Sequence, residues 1–224
     1  MASGKLKQVR LTLPVTTEAL RELEIGSVVY LDGVVYTSRE GVYKKVVDEG
    51  RAMPAGLPAL SNVNFHCSPA AMQEADGSYR VGSVTATASF RFSQWMARWL
   101  EISGTKLVIG KGGMTEADYK GVLAPAGAVY LTTVGYGTGA LLGRGIKRVI
   151  DVHWMQELGI AQSIWVFQVE NFGPFLVDSD LAGNSLFEQH AQAINANVEK
   201  LYEGLKAPAL HRYGETVDRK REVI

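Results

Sequence analysis

The 224-residue sequence has one cysteine, Cys67. A single thiol excludes an intrachain disulfide and any metal site built wholly from this chain's cysteines, and it fits a reducing compartment. Lysine plus arginine number 23 and aspartate plus glutamate number 23, so neither sign of charge is in excess. The chain therefore lacks the footprint of a protein that grips nucleic acid or an anionic membrane nonspecifically. No apolar run approaches the roughly 18 residues of a membrane span. The opening MASGKLKQVRLTLPV has no apolar stretch long enough for the core of a signal peptide. A soluble, cytoplasmic domain is the expectation.

Several catalytic signatures are also missing. No G-x-S-x-G elbow is present for a serine hydrolase. The run VIGKGGM (Val108–Met114) sits where phosphate loops sit, but Gly112 follows Lys111 where a hydroxyl should bind magnesium. Thr105 also stands where the first glycine of such a loop belongs. Gly135-Tyr136-Gly137-Thr138-Gly139 follows an apolar strand, yet its glycine spacing and the Lys147-Arg148 pair beyond it do not fit a dinucleotide fingerprint. Close helix packing is the better reading of those glycines. His66 and Cys67 are adjacent, but His153, His190 and His211 fall in separate elements, so no metal is expected in this chain. His153, beside Trp154, reads as a satisfied core histidine.

What is present is a foldable mixed α/β pattern. With 46% hydrophobic and 21% charged residues the chain can bury a core, and its length suits one domain. Residues 27–36 (SVVYLDGVVY) read as a hairpin or a bulged strand around Asp32-Gly33. Further strands are expected over residues 62–66, 79–87, 106–109, 128–133, 148–152, 163–169 and 175–178. The last two are joined through Asn171-Phe172-Gly173-Pro174. Residues 53–60 read as loop, because Pro54, Gly56 and Pro58 interrupt them. Helices are expected over 39–47, 90–100, from a Thr115 cap to near Pro125, and from Ser185 to about Leu205. That last helix would present Phe187, Ala191, Ile194, Val198 and Leu201 along one face. Residues 207–224 read as a charged tail extended over a surface.

The cations carry the chemistry. Arg39 follows VVYTS, Arg91 follows TATASF, and Lys111 follows KLVIG, so all three stand where strands end. Such ends line ligand clefts in α/β sheets. Fixed guanidinium and ammonium groups suit a substrate with two carboxylates. Thr85, Thr87 and Ser89 add hydroxyls at the same junction. The pattern alone fits scattered surface charges equally well.

The runs GSVVYLDGVVYTSRE, TATASFRF, KLVIGKGGMTEADY and VHWMQELGIAQSIWVFQVENFGPFLVDSDLAGNSL resemble the β subunit of iron–sulfur hydro-lyases. Class I fumarases and L(+)-tartrate dehydratases belong to that family. The resemblance covers roughly residues 20–187 and implies a swivelling β/β/α domain over 20–206, flanked by an N-terminal extension (1–19) and the tail. It implies a catalytic α subunit that holds a [4Fe-4S] cluster, with no metal in this chain. It also implies reversible dehydration of a 2-hydroxy dicarboxylate, either malate to fumarate or tartrate to oxaloacetate. By position, Thr87 falls on the threonine taken as the proton-abstracting base. Arg39, Arg91 and Lys111 fall on the substrate-binding cations. Without its partner, the chain should leave an apolar docking surface exposed and form homo-oligomers. The motif departs from the family at Thr85, Ala86, Ala88 and Phe92, and Phe90 adds bulk, which leaves a bulkier hydroxy acid open. A noncatalytic module on the same fold is the third possibility.

Overall fold

The computed structural model describes residues 6–135, 137–201 and 203–204. Its framework is a seven-stranded sheet that closes on itself. The strands of this sheet are β1 (Gln8–Thr12), β2 (Val28–Thr37), β3 (Val63–Phe65), β6 (Leu107–Gly110), β7 (Val129–Thr133), β8 (Ile146–His153) and β9 (Ile164–Ser179). They run in the order β1-β2-β3-β6-β7-β9-β8, with β9 also paired to β2. The path β2-β3-β6-β7-β9 therefore returns to β2 as a small barrel. Its neighbours are parallel except at β9, which is antiparallel to β2, β7 and β8. A separate two-stranded sheet, β4 (Cys67–Gln73) and β5 (Tyr79–Ala86), rises from the end of β3.

The alternation of apolar residues explains the layering. Val63 and Phe65, Leu107 and Ile109, and Val129 and Leu131 are two apart on successive strands and belong to one buried cluster. Residues two apart share a face of a strand, so these line one side of the closed sheet. Val108 and Tyr130, on the opposite face, pack instead with Tyr43, Trp95, Met96, Trp99, Leu100, Tyr119 and Leu123. The last set comes from helical segments laid against the sheet: Glu40–Tyr43, Ser93–Ser103 and the turn Tyr119–Leu123.

Several expectations change in the structure. Of the two readings for 27–36 the bulged strand is the one formed: β2 runs unbroken, with register shifts against β9 between Val29 and Leu31 and between Leu31 and Gly33. A Cβ on Gly33 would stand 2.9 Å from the Leu13 carbonyl oxygen, so this glycine admits a passing chain and turns nothing. The two strands expected over 163–169 and 175–178 are one strand, β9. Its Gly173 lets the backbone approach β2, since a Cβ there would meet the Val29 carbonyl oxygen at 2.6 Å. Strand β4 was not anticipated, because CSPAAMQ has few β-favouring residues and contains Pro69. The stretch read as loop at 53–60 holds a helical turn, Leu57–Leu60, with Pro58 in its first turn, where a missing N–H costs nothing.

The C-terminal helix is shorter than its periodicity predicts. It spans Leu186–Asn195, a further turn follows at Val198–Leu201, and its expected apolar face is largely uncovered. Phe187, Ile194 and Leu201 are 45%, 47% and 67% exposed. Strand β1 lies within the segment read as an N-terminal extension and pairs with the first half of β2. The tail expected over 207–224 lies outside the described residues.

Candidate functional site

Three of the parallel strands end at one place. Arg39 lies two residues past β2 and caps the helix that begins at Glu40. His66 follows β3, and Lys111 follows β6. The end of β5 is tied to both: Thr87 N–H donates to the His66 carbonyl (2.6 Å), and Lys111 N–H donates to the Thr87 carbonyl (3.2 Å). Ser68 on β4 pairs with Thr85 on β5, and residues directly opposite across an antiparallel pair point to one side. The Arg39 guanidinium donates to the Ser68 hydroxyl and, from Nη1, to the Ala161 carbonyl (3.1 Å). Ser68 in turn donates to the same carbonyl (2.9 Å). Arg39, Thr85, Thr87 and Lys111 thus stand on one connected scaffold.

Electrostatics tie Arg91 to the same region. Burial, and then the neighbouring Arg91 charge, hold the Arg39 pKa below its ordinary value. None of the ion pairs among the described residues uses Arg39, Arg91 or Lys111. The Nε of Arg39 is buried without a hydrogen-bond acceptor. Like charges near each other repel in a folded chain, and the neighbouring Glu40 carboxylate, which is paired with Lys44, offsets only part of that repulsion. An anion seated there would relieve that repulsion. Lys111 and Thr85 also line a cleft of about 380 Å³ with Ser83, Thr133 and Thr138. Thr87 is 7% exposed, and its hydroxyl has no hydrogen-bond partner among the described residues.

The glycines around Lys111 have separate reasons. A Cβ on Gly110 would fall 1.8 Å from the Ser89 hydroxyl oxygen and 2.5 Å from that of Tyr130. Gly112 has φ of 70°, in the left-handed region. A Cβ on Gly113 would stand 3.1 Å from an Asp178 carboxylate oxygen. Behind this loop the Met114 N–H donates to the Tyr119 hydroxyl (2.7 Å), which donates to Asp178. Asp178 also accepts from Ser185 Oγ and from the Phe187 N–H, both at 3.1 Å. Burial raises the Asp178 pKa above the ordinary carboxylate value. The loop is therefore braced from below, while Lys111 itself is exposed. The other glycine-rich run packs as its sequence suggested. On the Thr138–Gly145 helix, a Cβ on Gly139 or Gly143 would strike the Val84 or Gly82 carbonyl oxygen of β5, at 2.6 and 2.4 Å.

Sequence reasoning missed Ser68, which orients Arg39, and the true setting of His66. The adjacent pair His66-Cys67 divides between the two packing layers. Cys67 is buried in the cluster inside the sheet, whereas the His66 ring lies between the Tyr43 and Ser89 hydroxyls, each at 2.7 Å. Burial pushes the Cys67 thiol well up and the His66 imidazole down to about 3. Among the described residues no group of three or more His, Cys, Asp or Glu side chains could hold a metal ion. An iron–sulfur cluster does not fit this chain's own residues. His153 is half-buried, 3.5 Å from Asp151 at the end of β8, and is not a core histidine.

The closed sheet, with Lys111 lining an open cleft at its strand ends, defines the α/β unit that carries the candidate site. Family comparison then places it: the model of the fumarase C-terminus matches residues 1–190, and the chain belongs to that family. It is 31% identical over 188 residues to the "L(+)-tartrate dehydratase subunit beta" of Escherichia coli K12, covering 80% of this chain and 87% of that one. It is 30% identical over 193 residues to a Geobacillus stearothermophilus protein named "Putative fumarate hydratase class I". That match covers 86% of this chain but 35% of the longer relative. Among the described residues no helix is long and apolar enough to cross a membrane.

Proposed function

We propose that this chain is the β subunit of a hydro-lyase that reversibly dehydrates a 2-hydroxy dicarboxylate, its site completed by an α subunit. The observation that carries this reading is that the strand-end segments bearing Arg39, Thr87 and Lys111 are bonded together while Arg39, Arg91 and Lys111 form no ion pair among the described residues. In dehydration a proton leaves the carbon next to one carboxylate, and hydroxide leaves the adjacent carbon. Arg39 and Arg91 hold one end of the dianion through paired N–H groups, and Lys111 neutralises the other end. Negative charge that grows beside the clamped carboxylate as the proton leaves is stabilised by the same cations.

Thr87 takes the role of proton acceptor. A hydroxyl is a weak base in water, and cations brought close to it would favour the alkoxide form. A [4Fe-4S] cluster would belong to the partner, because this chain has a single cysteine, which is buried and cannot by itself supply the cluster's ligands. The β unit would then act as a swivelling domain that brings its cations over the partner's site, in the cytoplasm. The division 1–19, 20–206 and 207–224 and self-association of the isolated chain complete this reading.

The test is anaerobic co-expression with an α-type chain, followed by ultraviolet assay with L-malate, fumarate, both tartrates and mesaconate. Turnover of one acid is expected, with kcat lowered on the order of 10²- to 10⁴-fold in Thr87→Ala. Failure of the two chains to associate would sink the subunit reading. A second reading, a bulkier 2-hydroxy acid, is favoured by Phe90, which is 60% exposed beside Arg91. Turnover of mesaconate in preference to fumarate would support it.

A further inference from the structure

The His66 side chain lies under the candidate site but is not part of the cation cleft. Its backbone N–H donates to the Ile109 carbonyl (2.8 Å), on the strand that delivers Lys111, and its carbonyl accepts from Thr87 (2.6 Å). One ring nitrogen meets the Tyr43 hydroxyl, which also accepts from Asn64 Nδ2 (2.7 Å). Tyr43 lies one turn after Arg39, and its N–H donates to the Arg39 carbonyl (3.1 Å). The other ring nitrogen meets Ser89, midway between Thr87 and Arg91, and Ser89 also accepts from the Tyr130 hydroxyl (2.7 Å). The glycine at position 110 gives Ser89 and Tyr130 the room to meet directly beneath Lys111.

We infer that His66 is a positioning residue, a neutral clamp that fixes the separation of the Arg39, Thr87–Arg91 and Lys111 segments; the inference rests on the hydro-lyase reading. The ring is fully buried and packs edge-on against Phe92 and Tyr43, with centroids 4.9 and 5.9 Å away. A hydrocarbon side chain would fill such a space without the cost of desolvating two nitrogens. What imidazole adds is direction. Both nitrogens are held by hydroxyls, which can donate or accept, so the ring is locked in either neutral tautomer. The ring thus joins the Arg39 and Thr87–Arg91 segments, and the backbone of the same residue holds the strand that delivers Lys111.

Misplacement of reacting groups by about 1 Å costs on the order of 100-fold in rate. The experiment compares wild type, His66→Phe, His66→Gln and the milder Ser89→Ala in the co-expressed complex. The probes are L-malate and L(+)-tartrate, each with and without deuterium at the carbon that loses its proton. In variants that melt within about 4 °C of wild type, His66→Phe is expected to lower kcat on the order of 100-fold. KM should change less than kcat, and the primary isotope effect should rise as proton removal becomes slower. The amide of His66→Gln, able to bond one hydroxyl, should recover part of the loss. Ser89→Ala should shift the isotope effect in the same direction and combine non-additively with His66→Phe. Activity that falls only with the folded fraction, at an unchanged isotope effect, would overturn the clamp. If the wild-type complex turns over neither acid, the hydro-lyase reading fails by itself. The clamp is then decided by backbone amide NMR of the full chain. Shifts that reach Arg39 and Lys111 in Ser89→Ala and His66→Gln support it, and shifts confined to Thr87 and the other immediate neighbours of the altered residue refute it.

Discussion

The inside of the closed sheet and the layer outside it are both buried, yet they are packed from different chemistry. Inside stand Val29, Leu31, Val35, Phe65, Ile109, Leu131, Phe167 and Phe175, all hydrocarbon, with the Cys67 thiol and the Trp165 indole among the few polar groups beside them. Outside, four buried tyrosines each engage a polar side chain: Tyr36 with Thr105, Tyr43 with His66, Tyr119 with Asp178 and Tyr130 with Ser89. Burial pushes the Tyr36 phenol up to about 12 and raises the other three as well. Hydrophobic burial has no direction and can be supplied by many side-chain sets. Hydrogen bonds in a dry interior specify distance and angle, and a missing partner is expensive. The directional layer lies beneath the segments that carry Arg39, Arg91 and Lys111, where geometry has to be fixed.

The comparison can be broken by perturbing each layer in turn. Leu131→Ala, inside the sheet, should cost about 2–5 kcal/mol of unfolding free energy, since it removes a buried side chain and leaves a cavity. Denaturant unfolding would read it, and the ligand-bound geometry of molecules that remain folded should be untouched. Gly110→Ala should cost about 1–3 kcal/mol by overpacking, because its methyl carbon would sit 1.8 Å from the Ser89 oxygen. Here activity in the complex should fall further than stability alone explains, as Ser89 must move.

A third expected effect is a pH slope. The His66 pKa is about 3 when folded, against an ordinary 6.5. The folded state therefore binds this proton less readily than the unfolded chain. The stability associated with neutral His66 is complete above about pH 6.5 and is lost as pH falls towards 3, by at most about 1.4 kcal/mol per pH unit. Asp178, whose folded pKa is raised, acts in the opposite sense over part of that window. The urea midpoint of wild type minus that of His66→Gln, from pH 7 to 4.5, isolates the histidine. A parallel pair of curves would show that His66 accepts a proton in the folded state.

Much of the fold was legible, for local reasons. Apolar runs such as LVIG and VYLTT and the Thr115 cap produce their elements wherever they stand in the chain. The longer-range features were not. Whether Phe-Gly-Pro ends a strand or passes through one depends on β2 lying alongside, and β4 exists because β5 pairs with it. The apolar spacing of Phe187, Ile194 and Leu201 identified a helix face but could not say whether this chain covers it. At the site, residue type and position after a strand singled out Arg39, Arg91 and Lys111 with a group of nearby hydroxyls, and the family resemblance alone picked Thr87 from that group. Ser68 gave no signal, being a small polar residue in a poor strand, and His66 beside Cys67 suggested a ligand pair.

The sequence by itself determined the mixed α/β character, the positions of the cations at strand ends and the inability of one cysteine to hold a cluster. These follow from composition and from backbone preferences that act over a few residues. Only the tertiary structure decided that the sheet closes through β9, that three distant segments meet, and that His66 faces hydroxyls while Cys67 faces hydrocarbon. Neighbouring residues on an extended backbone point in opposite directions. What each one then meets is set by strands brought from elsewhere in the chain.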